Sequence, residues 1–183
     1  MKTNLRQNGS TLVEAVFVTA LFVSLMASFI SVYATTSSFS ARSSVQMRAN
    51  EEHQRNLDAI ANLLRGAAIS SLAGFDAGGT STAPTFQVVT GADATGARVL
   101  GPAQTLGWRT TGGNVHGVQN PGEVTLTVNG VTTALASRIP KGGFLVTRSA
   151  NTLRITLSTF YTMSDAEQTA ATVSGDVSVS LRN

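Results

Sequence analysis

The sequence predicts an α+β protein in which one long N-terminal helix, apolar in its first half, is packed on an antiparallel β-sheet. Three observations predict it. No charged residue lies between Ala15 and Tyr33. Apolar residues then recur at three- and four-residue spacings from Leu57 to Leu72. Beyond Pro84, apolar and polar residues alternate in short runs separated by Gly- and Asn-containing turns. At 183 residues the chain has room for one domain rather than two.

The N-terminal region carries the clearest pattern. Met1 to Gly9 is polar and bears Lys2 and Arg6. The nineteen residues from Ala15 to Tyr33 span about 28 Å as a helix, close to the hydrocarbon thickness of a bilayer. Ser and Thr within this run lower its hydropathy, but their hydroxyls can bond to the preceding turn. Basic residues on the N-terminal flank alone predict that this end stays inside while the body lies outside. Glu14 stands at the edge of the run, where a carboxylate without a partner is unfavourable. Two local readings are available for it. It can close a capping box with Thr11, or it can sit solvated at headgroup level. A different reading of the whole segment takes Val32-Tyr33-Ala34 as an ordinary signal-peptidase site, with small residues at both critical positions. That would release a secreted soluble binding domain beginning at Thr35.

Read as a unit, Gln7-Asn8-Gly9-Ser10-Thr11-Leu12-Val13-Glu14 and the apolar run that follows resemble the class III signal of prepilins. A short basic leader, a glycine, a Thr-Leu pair, a glutamate and an uninterrupted apolar helix all agree with that family. The resemblance implies cleavage by a prepilin peptidase between Gly9 and Ser10, N-methylation of Ser10, and a place for Glu14 five residues beyond the cut. There its carboxylate would pair with the amino terminus of Ser10 in a neighbouring subunit. The resemblance further implies an inner-membrane, single-pass precursor, an assembly platform with its ATPase, and other pilins as partners in a filament. The first mature residue is Ser10, where the family usually has Phe, and no proline precedes Pro84. Both departures point to a pseudopilin or minor pilin rather than a major adhesive pilin.

The remaining elements follow in order. Ala34 to Ser40 is poor in intrinsic helix formers. Leu57, Ile60, Ala61, Leu64, Ala68 and Leu72 then form an amphipathic stripe, with Arg55, Asp58, Asn62 and Arg65 opposite and Gly74 as a stop. One helix is therefore expected from about Thr11 to about Leu72. Gly78 to Pro84 reads as a turn-rich linker. Phe86–Val89, Arg98–Leu100 and Thr105–Thr110 are strand candidates, and Gly112 to Gly122 reads as a loop. Glu123–Val128 alternates cleanly and runs into Asn129-Gly130, a strong hairpin signal, with the return strand at Val131–Leu135. A second hairpin pairs Phe144–Arg148 with Leu153–Phe160 about a turn at Ser149-Ala150-Asn151. A last strand places Val177, Val179 and Leu181 on one face. Strands that follow a helix and are joined by hairpins predict an antiparallel α+β domain. The expected partition is a cleaved leader over 1–9, an apolar helix over 10–34, its amphipathic continuation over 35–74 and the sheet domain over 75–183. Two hairpins and a closing strand look like the J-type minor pseudopilins of type II secretion systems, and like the related larger minor pilins.

Composition and motifs speak against several other classes. The formal charge is +3; without Lys2 and Arg6 it falls to eleven basic against ten acidic side chains. The remaining basic residues are scattered, with no run suited to phosphates, so no nucleic-acid partner is expected. There is no cysteine, hence no disulfide or thiolate metal site. His53, beside Glu51 and Glu52, reads as part of a solvated helix surface, and His116 as an exposed loop residue. Gly91 to Gly96 lacks the Lys-Ser/Thr of a phosphate loop and reads as a turn. No Gly-x-Ser-x-Gly or His-Glu-x-x-His pattern occurs, so no enzyme is expected. Asp165, Glu167 and Asp176 flank an expected Ser164–Gly175 loop. Oxygen ligands there could hold calcium, but three carboxylates are too few to define a site, and solvent-facing acids are the favoured reading. Trp108 in a strand reads as core.

Overall fold

The computed structural model describes residues 12–115, 118–119, 121–164 and 167–181. Helix α1 spans Leu12–Arg65. A 3₁₀ turn at Ile69–Ser71 follows. Among the described residues ten strands follow: β1 Thr80–Ser81, β2 Thr85–Ala92, β3 Arg98–Thr110, β4 Asn114–Val115, β5 Val118–Gln119, β6 Gly122–Val128, β7 Val131–Ile139, β8 Phe144–Ser149, β9 Thr152–Ser164 and β10 Glu167–Ser180. The chain divides into two units, one ending at Ser43 and one beginning at Ser44. The first unit, in its described part, is the apolar first half of α1. The second holds the rest of α1 and all ten strands.

Within the second unit, two four-stranded antiparallel sheets form, in the orders β2-β3-β6-β7 and β1-β8-β9-β10, with β4-β5 as a small separate ladder. The fold class is therefore α+β. The helix contributes one stripe to the core: Val45, Ala49, Leu57, Ile60, Ala61 and Leu64 are buried. Against it lie the inward side chains of both sheets, among them Phe86, Leu106, Val124, Phe144, Ile155 and Leu157. Removing this apolar surface from water at roughly 25 cal/mol per Å² is what holds the helix on the sheets.

The hairpins follow local chemistry. Asn129 and Gly130 have φ of 51° and 79°, the two positive angles that a type I′ turn requires, and they join β6 to β7 with Val128 opposite Val131. Ser149 pairs with Thr152, so the β8–β9 turn is Ala150-Asn151, with Ala150 at φ 47°. On β9, Leu153, Ile155 and Leu157 are buried in alternation, as expected. Trp108 is half-buried against the core, and its indole N–H donates to the Ile139 carbonyl at 3.2 Å. Gly122, across the ladder, has no room for a side chain: a Cβ there would lie 2.5 Å from the indole ring.

The structure departs from the sequence-based expectation at several places, one of them the predicted loop from Gly112 to Gly122, which contains the short paired strands β4 and β5. The helix ends at Arg65 rather than near Leu72. The Ala68 N–H donates to the Gln87 carbonyl at 2.9 Å, and Ala73 and Thr85 exchange backbone hydrogen bonds, so residues 67–73 run alongside β2. The three predicted strand pieces between Phe86 and Thr110 are two longer strands, β2 and β3, and β3 continues through Gly101-Pro102. The predicted linker contains β1, which pairs with β8. The predicted Ser164–Gly175 loop is largely strand: from Ala170 to Ser180, β10 is in continuous antiparallel register with β9.

Candidate functional site

The first surface that stands out is the apolar half of α1. Every residue from Leu12 to Ser40 is exposed, including Phe17 at 72% and Tyr33 at 77%. This is the one helix among the described residues that is long and apolar enough to cross a membrane. Its hydroxyls are accommodated locally. Thr19 donates to the Ala15 carbonyl at 2.8 Å, Ser28 to Ser24 at 2.9 Å and Thr35 to Ser31 at 2.9 Å. Such back-bonding removes the cost of taking a hydroxyl into an apolar medium unpaired. One face carries a shallow groove lined by Val16, Thr19, Ala20, Val23, Ser24 and Ala27. Small residues at this spacing let a second helix approach closely.

Glu14 lies in the first turn of α1 and is exposed. A carboxylate there meets the positive end of the helix dipole. Gly9 and Ser10, the residues of the predicted cleavage and methylation, lie outside the described residues, as does Thr11 of the predicted capping box.

A second constellation, within the Ser44–Asn183 unit, was not visible as a site in the sequence. His53 is not on a solvated surface: it is buried, 2% exposed, between α1 and the β9–β10 ladder. Its Nδ1 lies 3.2 Å from Thr159 Oγ1, while Nε2 is buried without a hydrogen-bond partner. Burial pushes the imidazole pKa below its ordinary value, because the protonated ring would be a desolvated cation. Around it a polar belt ties helix to sheet. Asn56 donates to the Ser137 carbonyl at 3.2 Å. Glu52 pairs with Arg138 at 2.8 Å, and the Arg138 guanidinium stacks 4.8 Å from the centre of the Tyr161 ring. The missed signal is spacing: His53 falls within the buried stripe, four residues from both Ala49 and Leu57.

The predicted carboxylate cluster fares differently. Asp165 lies outside the described residues, as does His116. Glu167 opens β10. Asp176 is mid-strand, and its two oxygens accept from Arg154 at 3.0 and 3.1 Å. Asp176 is thus a cross-strand ion-pair partner rather than the flank of an open loop. Among the described residues, no three His, Asp or Glu side chains converge as a metal site would require.

Compared with family models, curated proteins and solved structures, the chain matches no family model and shows no significant similarity to any curated protein or solved structure. The geometry and the N-terminal residues therefore carry the functional argument.

Proposed function

We propose that this chain is a minor pilin or pseudopilin subunit of a type II secretion or type IV pilus filament, processed by a prepilin peptidase and assembled through α1. The observation that carries the reading is the Gly9-Ser10-Thr11-Leu12-Val13-Glu14 pattern running directly into an uninterrupted, wholly exposed apolar helix. Support comes from the second half of the same helix, whose buried stripe lies on antiparallel sheets.

In this reading the precursor sits in the cytoplasmic membrane by α1, with the sheet domain outside. Cleavage after Gly9 exposes the amino group of Ser10, which is then methylated. The assembly platform draws the subunit into a filament, where the apolar halves of neighbouring helices exclude lipid from one another. The groove along Ala20, Ser24 and Ala27 favours close helix packing there. The protein performs no reaction of its own and needs neither cofactor nor nucleic acid.

Glu14 acts electrostatically. In an apolar filament core its carboxylate pairs with the Ser10 amine of a neighbour, and an unpaired charge in that place costs about 3–5 kcal/mol. The test is Glu14→Ala in cells that assemble the filament. Incorporation into sheared filaments is expected to fall by roughly 100-fold or more, while the subunit remains in the membrane fraction. Unchanged incorporation would sink the pairing role.

A further inference from the structure

We propose that His53 is a proton-sensitive latch, docking α1 on the β9–β10 ladder only while its ring is neutral and protonated on Nδ1. The geometry assigns the tautomer. Nδ1 faces the Thr159 hydroxyl at 3.2 Å, so an Nδ1–H has an acceptor. Nε2 faces Gly175 with no hydrogen-bond partner, and it sits so close that a Cβ on Gly175 would lie 2.8 Å away. The space beside Nε2 is therefore filled by the Cα hydrogens of Gly175. A nitrogen lone pair tolerates a C–H at that distance, and a weak C–H contact even favours it. An Nε2–H does not fit: it would point at another hydrogen, unpaired, in a site closed to water.

Protonating the ring requires that second N–H. The docked state supplies it with neither an acceptor nor a countercharge. The carboxylates on the elements packed here are committed elsewhere: Glu52 of α1 to Arg138 of β7, and Asp176 of β10 to Arg154 of β9. Tyr161 of β9 is engaged by the Arg138 guanidinium over its ring, and it interacts with Arg48 of α1, whose pKa it raises. Glu51 and Arg55 of α1 are exposed. Proton binding at Nε2 and seating of the ring against Gly175 thus exclude each other, and acid withdraws this stretch of helix from the sheet. The latch lies wholly within the second unit and is the same whether or not the chain enters a filament.

The experiment uses the full chain in detergent micelles with labelled histidine. Imidazole nitrogen resonances are expected to report His53 as the Nδ1–H form, titrating below the ordinary histidine value. Its protonation should coincide with loss of dispersed methyl signals from Leu57 and Val179. An Nε2–H form, or titration at or above the ordinary value with those signals intact, would overturn the latch. A second arm compares wild type with His53→Gln by denaturation between pH 7 and 5. The wild-type folded-to-unfolded ratio should drop by up to about tenfold per pH unit, and the variant should lose that slope. An undiminished slope in the variant also refutes it; if the variant does not fold, the resonances of the wild type decide.

Discussion

Gly175 illustrates how much one position can determine. It stands in a strand, where glycine is ordinarily a weak choice, yet any side chain there collides with the imidazole above it. Gly175→Ala is expected to destabilise the domain by about 1–3 kcal/mol, read as a lower denaturation midpoint. Ala150 is the reverse case. It holds φ 47° in the β8–β9 turn, a region costly for a residue with a Cβ. Ala150→Gly should therefore raise stability by about 1 kcal/mol, and an unchanged or lower midpoint would contradict that account. The acid response has two parts. His53 has a lowered folded pKa, so its contribution is complete above the ordinary histidine value and is lost as pH falls below it. Asp76 and Asp93 are also lowered, by hydrogen bonds from Thr80 and Thr95 respectively. Their contribution is lost only as pH falls below the ordinary carboxylate value, so the two losses should separate in a pH titration.

At the scale of elements, what could be read from the sequence was what local chemistry decides. The alternation of Leu153, Ile155 and Leu157, the Asn129-Gly130 turn and the stripe through Leu57, Ile60 and Leu64 all reappear in the fold. The helix terminus did not, because it is set by distant partners: the amide of Ala68 is claimed by Gln87 of β2 rather than by its own turn. The first part of β10 was hidden for a similar reason. Its Ala, Thr, Ser and Gly residues carry no apolar period, and its extended form comes from pairing with β9. His53 reads as solvated because it sits in a polar run, Glu51-Glu52-His53-Gln54, although its spacing from Ala49 and Leu57 puts it on the buried stripe. Packing on that stripe predicts that Ile60→Ala, at a wholly buried position, costs about 2–5 kcal/mol. A loss under 1 kcal/mol in a denaturant melt would mean that the helix is not held by this contact.

For the whole molecule, two facts must be explained together. The second half of α1 lays a buried stripe on the core, while the first half presents a continuous apolar surface that no described residue covers. Water is a poor solvent for that surface, and the helix is long and apolar enough to cross a bilayer. The subunit reading covers that surface in sequence, with the membrane before assembly and neighbouring helices after it. It turns on a single covalent event at Gly9-Ser10, and that event can be read directly. The decisive measurement is the intact mass of the mature protein taken from membranes, with fragmentation of its N-terminus. The subunit reading requires a chain that begins at Ser10, with or without a methyl group on its amine. A chain beginning at Thr35 would contradict it, since the apolar helix would then be a discarded export signal and the body a secreted soluble domain.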